Sequence, residues 1–139
     1  GVMFTKSLAG NGYGMHVDNP YMPSGRSDLS FTIFLNEPEN YEGGNLCIQT
    51  INETKQIKLS AGEMIIYPST KLHSVSQVKK GERFVCVGWI QSYVQNNEDR
   101  NFLFGLDAGA KALLSKHGRS DELDLIFQAY SNLQRRLGD

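Results

Sequence analysis

A regular alternation of apolar and polar residues constrains the fold of this chain most strongly, and it extends from Val2 to Val94. Glycine, proline, asparagine and serine interrupt the alternation every few residues, and helical periodicity is absent from this part of the chain. Such a pattern is typical of an all-β sandwich or barrel. In the clearest segment every second residue from Leu29 to Leu35 is apolar, which predicts that this face of a strand packs inward.

Eight strands can be placed in this segment, and eight antiparallel strands in two sheets are the number found in a jelly roll. Strand number alone does not separate a jelly roll from another β sandwich, so the pattern leaves both architectures open. The strands are predicted near Met3 to Leu8, Tyr13 to Asp18, Asp28 to Asn36, Asn45 to Thr50, Lys55 to Leu59, Glu63 to Pro68, His73 to Val78 and Arg83 to Val94.

The periodicity becomes helical after Val94. Apolar residues at helical spacing predict one helix between Asn97, a suitable N-cap, and Gly118, a common stop. Ser120 is predicted to cap a second helix, whose apolar stripe runs to Leu137. The fold expected from the whole pattern is therefore mainly β with two C-terminal α-helices.

Length and composition bound the architecture and the partners. The chain has 139 residues, so we expect a single domain with a β core at about 2–94 and a helical region at about 97–138. Its 14 basic and 15 acidic residues give a net charge of −1, so we expect neither nucleic acid nor a membrane as partner.

Cys47 and Cys86 lack the spacing of a disulfide framework or zinc site, and no signal peptide is visible. We therefore expect a cytoplasmic protein, whereas its oligomeric state is not predicted.

A histidine and a carboxylate stand two residues apart at His16 and Asp18. Residues i and i+2 of a strand project from the same face, so the imidazole and the carboxylate are expected to converge. Asn19 and Pro20 indicate that the strand ends there, where side chains open into a mouth. The motif is weak by itself, because a lone histidine is usually a hydrogen-bonded structural residue.

A third metal ligand is predicted at His73, which opens a strand directly after the loop at residues 68–71. His117 is the poorer candidate, because it lies near the predicted end of a surface helix. Two histidines and one carboxylate leave other metal positions open, and this arrangement suits non-haem Fe(II) and O₂ chemistry.

Arg83 lies ten residues after His73, and the alternate members of its strand from Val85 to Trp89 are apolar. A guanidinium that faces inward among apolar neighbours requires a carboxylate, preferably one that accepts two hydrogen bonds. That carboxylate belongs either to a ligand or to the protein itself, for example to Glu63 or Glu82. The sequence leaves both interpretations open.

The HxD pair, the distal histidine and the later arginine together resemble the Fe(II)- and 2-oxoglutarate-dependent dioxygenases. Longer segments narrow the resemblance to the PKHD-type hydroxylases, relatives of the prolyl 4-hydroxylases, and it extends into the two C-terminal helices. The segments that carry it are Tyr13 to Pro20, Arg26 to Ser30, Phe34 to Asn36, Tyr41 to Leu46, Leu59 to Pro68 with Leu72-His73, and Trp89 to Ser92. This family has a double-stranded β-helix (jelly-roll) core, which agrees with the strand count.

The resemblance implies that His16, Asp18 and His73 are the catalytic iron ligands and that Arg83 anchors the distal carboxylate of 2-oxoglutarate. It also implies Fe(II), 2-oxoglutarate and O₂ as cofactor and cosubstrates, with ascorbate as reductant. The expected reaction hydroxylates a C–H bond and releases succinate and CO₂. A prolyl residue in a peptide is the first substrate to consider, and a small molecule is the alternative.

The chain departs from the family pattern around the cosubstrate and at its N-terminus. In related prolyl hydroxylases a tyrosine near the arginine also bonds the 2-oxoglutarate carboxylate, but Phe34 stands at this position, so Thr32 or Tyr67 would replace it. Tyr13, three residues before His16, either lines the site or packs in the barrel. The family usually carries N-terminal helices that brace the major sheet, and the resemblance implies that these native helices are absent from this chain.

Three other features have simpler interpretations. Trp89, the sole tryptophan, is predicted to be a core residue rather than a stacking platform. Gly43 and Gly44 are predicted to meet the backbone needs of a turn. The loop at residues 19–28 either closes over the substrate or is an ordinary solvated loop.

Other classes of function fit parts of the same pattern. A non-catalytic jelly-roll module would keep a metal, or only the fold, and would bind a peptide or a sugar. A zinc hydrolase would bind a metal and activate water without O₂. A cupin-like metalloenzyme usually gathers more histidines than the three present here. Only the dioxygenase needs Arg83 to hold 2-oxoglutarate beside the metal.

Overall fold

Alternating side chains form twelve β-strands in the first part of the chain, as the computed structural model of residues 1–139 shows. The chain divides into two units, Gly1–Gln91 with the strands and Ser92–Asp139 with two helices. The strands are β1 (Val2–Ser7), β2 (Tyr13–His16), β3 (Tyr21–Met22), β4 (Gly25–Arg26), β5 (Leu29–Phe34), β6 (Tyr41–Gly43), β7 (Leu46–Gln49), β8 (Thr54–Ile57), β9 (Met64–Pro68), β10 (His73–Val75), β11 (Val78–Gly81) and β12 (Arg83–Ile90).

Two four-stranded antiparallel sheets form the body of the first unit. The major sheet has the order β1-β12-β5-β9 and the minor sheet the order β2-β10-β7-β8. The chain passes repeatedly from one sheet to the other, which is the connectivity of a jelly roll. The eight predicted strands are the eight strands of these sheets, so the predicted fold is confirmed. The four additional strands, which form the pairs β3-β4 and β6-β11, have only two to four residues each.

Strand β5 buries the face opposite to the one predicted. Ser30, Thr32 and Phe34 are 2%, 2% and 0% exposed, whereas Leu35 is 43% exposed. The other apolar residues of the predicted face are only partly buried. The prediction was wrong because Ser30 and Thr32 on the inner face of β5 line a cleft between the sheets, so the more apolar face of this strand lies on the outer side of its sheet.

The hydrophobic core lies between the two sheets. Its fully packed members are Phe34, Leu46, Ile48, Tyr67 and Val85. These residues come from three strands of the major sheet and one of the minor sheet, so each sheet contributes its inner face. This core fixes the spacing of the sheets and therefore the width of the cleft at one end of it.

The second unit consists of α1 (Asn97–His117) and α2 (Asp121–Leu137), which contact each other. Asn96 caps α1, one residue before the predicted cap, and its Oδ1 accepts the N–H of the third helical residue at 3.0 Å. Ser120 caps α2 in the same way at 3.1 Å, and Gly118 ends α1 with φ +75°. Neither helix is long and apolar enough to cross a membrane.

Candidate metal centre

Two neighbouring strands of the minor sheet bring His16 and His73 side by side. His16 ends β2 and His73 begins β10, and the antiparallel register pairs them directly, with ring centroids 4.2 Å apart. Because β2 ends at His16, Asp18 reaches the histidines from the segment that follows the strand. Its Oδ1 lies 3.3 Å from the Nε2 atom of each histidine. The structure therefore brings together the three side chains predicted as metal ligands.

Hydrogen bonds to backbone carbonyl oxygens fix the orientation of both imidazole rings. The Nδ1 atom of His16 is 2.7 Å from the carbonyl oxygen of Gly14, and that of His73 is 2.9 Å from the carbonyl oxygen of Lys71. A carbonyl oxygen only accepts hydrogen bonds, so each Nδ1 must carry the donated proton. In the neutral imidazoles the lone pair is then on Nε2, the atom that faces Asp18. This arrangement is typical of histidines that bind metals.

Asp18 is ionised in this surrounding. Burial alone would raise the pKa of its carboxyl group, but hydrogen bonds from His73, Ser30 and Trp89 outweigh burial and hold the pKa well below its ordinary value. Burial lowers the pKa of His73, but the hydrogen bond with Asp18, the hydrogen bond to the carbonyl of Lys71 and the charge of Asp18 together outweigh burial, so the net shift is upward. Asp18 thus stabilises positive charge at His73 Nε2, where a metal ion would take the place of a proton.

The three donor groups fit a divalent metal ion. Two imidazole nitrogens and one carboxylate oxygen lie within 4.8 Å of one another. Three protein ligands leave the remaining coordination positions open, as in the 2-His-1-carboxylate sites of non-haem Fe(II) oxygenases. The role of these residues as ligands stays a prediction, and their chemistry and convergence support it.

Arg83 begins β12 and is only 3% exposed, yet it forms no ion pair within the chain. Its guanidinium carbon lies 5.8 Å from the ring centroid of Phe34, and its Nε has no hydrogen-bond partner. The alternative of an internal ion pair is wrong. Glu82 pairs with Lys6 at 3.5 Å, and Glu63 accepts a backbone N–H at 2.9 Å. A buried guanidinium without a carboxylate points to an anionic ligand.

The groups around Arg83 leave room for its guanidinium and do not remove its positive charge. Burial lowers the pKa of Arg83, and the phenols of Tyr41 and Tyr67 oppose this shift. An arginine remains charged under such conditions. Gly44 has φ +65°, and a Cβ there would lie 3.0 Å from Cδ of Arg83. Besides serving the turn, this glycine therefore gives the arginine side chain its clearance.

Tyr67 and Thr32 lie on the same side of the cleft as Arg83. Tyr67 is 8% exposed, and its ring centroid is 5.1 Å from that of His73. Burial and the charge of Asp18 raise the pKa of Tyr67, while Thr32 and Arg83 oppose the rise. The phenol is therefore protonated and can donate a hydrogen bond. Both residues are placed to take the role predicted for them beside a bound carboxylate.

Tyr13 and Phe34 occupy very different surroundings. Tyr13 is 62% exposed at the rim, and its ring centroid is 4.4 Å from that of His16, so it lines the site and does not pack in the barrel. Phe34 is fully buried in the core beneath Arg83 and has no polar group to offer a ligand. These positions are consistent with the expected replacement of the family tyrosine.

One cleft of about 460 Å³ is lined by Tyr13, Thr32 and Tyr67. His16, Asp18 and His73 line it together with Arg83, so the metal-binding and anion-binding groups face one space. Apolar side chains such as Leu46 and Val85 cover parts of its wall. Its volume lies in the range of small-molecule sites in proteins.

Three polar residues of this site were not predicted from the sequence. Ser30 and Trp89 both bond the Asp18 carboxylate, and Ser69 is 2.7 Å from the hydroxyl of Ser30. Trp89 was predicted to be core, but it lines the cleft and is only partly buried. The alternation of side chains along the strand could have shown this, because Trp89 follows Arg83 by six residues and therefore projects from the same inward face.

The loop at residues 19–28 contains the short hairpin of β3 and β4. Arg26 bonds the carboxylate of Asp28 at 2.9 Å, and its backbone N–H donates to the side chain of Gln91 at 3.0 Å. The hydroxyl of Ser27 donates to the carbonyl of Asn19. The bond to Gln91 ties the hairpin to the residue that follows β12 of the major sheet, and the other two bonds hold the loop together.

Comparison with known proteins agrees with the site geometry. The model of the 2OG-Fe(II) oxygenase superfamily matches residues 2–91. A PKHD-type hydroxylase of Prochlorococcus marinus strain NATL2A is 85% identical over 139 residues, which cover 100% of this chain and 63% of that protein. The chain thus spans less than two thirds of the length of this curated relative.

Solved structures show the same fold. A prolyl-4-hydroxylase of Pseudomonas putida is similar with a TM-score of 0.56 at 24% identity, over 65% of this chain and 51% of that chain. Prolyl 4-hydroxylases from Phytophthora capsici are similar with a TM-score of 0.55 at 18% identity, over 97% of this chain and 56% of that chain. At these identities the likeness concerns the fold alone.

Binding of Mn(II) should quench the fluorescence of Trp89, because this sole tryptophan donates to Asp18 at 2.9 Å. His73→Ala removes one of three ligands and should weaken the binding by at least about tenfold. His117→Ala, which changes the histidine at the end of α1, is the matched control and should titrate like the unsubstituted chain. Equal Mn(II) affinity of His73→Ala and the control would contradict the assignment of His73.

Proposed function

Because the chain belongs to the 2OG-Fe(II) oxygenase superfamily, we propose that it acts as an Fe(II)- and 2-oxoglutarate-dependent dioxygenase that hydroxylates a C–H bond. One atom of O₂ enters the hydroxyl group of the product, and the other enters succinate, which forms with CO₂ from 2-oxoglutarate. One observation carries the proposal. The buried, unpaired guanidinium of Arg83 faces the same cleft as His16, Asp18 and His73.

The three clustered side chains would hold the metal. His16 and His73 offer neutral Nε2 atoms, and Asp18 offers an ionised oxygen, so the ligand set removes one of the two charges of Fe(II). The remaining positive charge favours an anionic keto acid in the open positions. When bound, Fe(II) supplies the activation of O₂ and the oxidative decarboxylation of the keto acid.

Arg83 would bind the distal carboxylate of 2-oxoglutarate. Its fork of N–H groups matches two carboxylate oxygens, and its burial makes the charge–charge attraction strong. Tyr67, as a protonated phenol, and Thr32 would donate further hydrogen bonds to the same carboxylate. This binding would also neutralise a charge that is otherwise buried without a carboxylate beside it.

The wall of the cleft keeps water away from the reacting groups. Leu46, Val85 and Val87 line the space beside Arg83, and Leu46 and Val85 are 2% and 1% exposed. An apolar wall lowers the local dielectric and strengthens the interaction between the guanidinium and a carboxylate. The apolar wall would thereby help Arg83 to bind and orient the cosubstrate.

The lining of the cleft also supports a choice of substrate. Apart from the three clustered ligands, Arg83 is the only charged side chain that lines it. No charged group is left to recognise the ammonium and carboxylate of a free amino acid. The rim instead offers Tyr13, Met3 and Met22, which suit an uncharged residue within a peptide. A prolyl residue is the leading candidate, since the solved relatives of this fold include prolyl 4-hydroxylases.

A cytoplasmic location is part of the proposal. Both cysteines, Cys47 and Cys86, are free thiols, and this state is typical of proteins in a reducing compartment.

Replacement of Arg83 by alanine should weaken binding of 2-oxoglutarate to the Mn(II)-loaded chain by about 10- to 100-fold, because charge-assisted hydrogen bonds contribute roughly 1.5–3 kcal/mol. Calorimetric titration measures the dissociation constant. Arg119→Ala is the control, since the side chain of Arg119 is 81% exposed and pairs only with Asp124. An unchanged dissociation constant in Arg83→Ala would contradict the anchoring role of Arg83. Failure of the unsubstituted, Mn(II)-loaded chain to bind 2-oxoglutarate would favour a non-catalytic metal-binding module.

A proline-containing peptide with blocked ends should stimulate succinate formation by the Fe(II)-loaded chain in air more strongly than free L-proline does. The reason is the absence of a charged group that would recognise a free amino acid. Chromatography of succinate measures turnover, and mass spectrometry of the peptide checks for one added oxygen. Equal or faster turnover of free proline would contradict the peptide proposal and favour a small-molecule substrate.

A further inference from the structure

The two oxygens of the Asp18 carboxylate have separate partners. Oδ1 faces the histidines and lies 3.3 Å from each Nε2. Oδ2 accepts a hydrogen bond from the hydroxyl of Ser30 at 2.6 Å and another from Nε1 of Trp89 at 2.9 Å. One oxygen is therefore directed to the metal position, and the other is occupied by two donors.

Both donors come from the opposite sheet and belong to one cross-strand pair. Asp18 follows β2 of the minor sheet, whereas Ser30 on β5 and Trp89 on β12 are paired in the register of the major sheet. Paired residues of an antiparallel sheet project from the same face, so this single register position delivers both donors to one oxygen. The contact also joins the two sheets at the metal position.

A second serine, Ser69, is hydrogen-bonded to the hydroxyl of Ser30. Ser30 has one hydroxyl proton, and it is donated to Asp18, because an ionised carboxylate only accepts. The hydroxyl of Ser69, 2.7 Å away, must then donate to Ser30. Ser69 is 3% exposed, and its backbone N–H donates to the carbonyl of Asp28 at 3.0 Å, which holds it in place.

We propose that Ser30 and Trp89 are positioning residues that restrict Asp18 to binding the metal through Oδ1 alone. Two hydrogen bonds on Oδ2 oppose the rotation that would bring both oxygens to one ion. A carboxylate bound through both oxygens would take up an additional coordination position, and 2-oxoglutarate and O₂ need the open positions. This inference rests on the proposed metal site and adds to it the residues that keep that site open.

Mn(II) affinity, measured by calorimetric titration because two of the variants lack the indole of Trp89, and the visible spectrum of the Co(II)-loaded chain test the inference without turnover. Ser30→Ala and Trp89→Phe should each lower Mn(II) affinity by about 10- to 100-fold, which is the usual effect of losing a hydrogen bond to a metal ligand. They should also change the Co(II) spectrum, since its position and intensity follow the coordination number. Ser30→Thr keeps the hydroxyl donor and should restore both properties.

Ser76→Ala is the matched control. Ser76 accepts the backbone N–H of Asn45 at 2.9 Å and does not line the cleft, so its loss should leave both readouts unchanged.

A fold-preserving variant is also available, because Trp89 is the only tryptophan of the chain. Its replacement by benzothienylalanine keeps the ring shape but removes the N–H group, and it should act like Trp89→Phe.

The outcomes separate this inference from the proposed function. Wild-type Mn(II) affinity and an unchanged Co(II) spectrum in Ser30→Ala and in the benzothienylalanine chain would overturn the positioning role while leaving the metal site in place. Failure of the unsubstituted chain to bind Mn(II) would overturn the metal site and the inference together. Loss of Mn(II) affinity in Ser30→Ala and in the benzothienylalanine chain, with recovery in Ser30→Thr, would support the positioning role.

Discussion

The carboxylate of Asp18 is the interaction on which the rest of the site depends. It faces two histidines of the minor sheet through one oxygen and bonds a serine and the tryptophan of the major sheet through the other. It therefore connects the two sheets at the position where a metal would bind. The jelly roll makes this possible because its strands alternate between sheets, so residues distant in sequence meet across a narrow interior.

The second constraint is the buried charge of Arg83. A guanidinium that loses its water and finds no carboxylate destabilises a fold, and proteins keep such a group where a ligand completes it. Here the guanidinium lies over the ring of the core residue Phe34, and Gly44 leaves room for the arginine side chain. Binding of a dicarboxylate would therefore stabilise the folded chain as well as supply a cosubstrate. The interaction of Arg83 with the dicarboxylate would thus contribute both to the stability of the folded chain and to binding of the cosubstrate.

Much of this arrangement was predictable from the sequence, because strand alternation is local. It located the eight strands of the two main sheets and placed Arg83 on an inward face. The alternation alone gave the wrong inward face for β5, because polar Ser30 and Thr32 face the cleft and the more apolar side lies outside. The partners of Asp18 also escaped prediction, because the pairing of Ser30 with Trp89 and their reach across to the other sheet depend on tertiary register.

The central claim is that one cleft holds Fe(II) and 2-oxoglutarate side by side, and an anaerobic titration tests it most directly. Chelation of the keto acid by bound Fe(II) gives a visible charge-transfer band, which neither component produces with the protein alone. We expect this band to grow to saturation when 2-oxoglutarate is added to the Fe(II)-loaded chain in the absence of O₂. The absence of a band in well-folded, iron-loaded protein would contradict the claim.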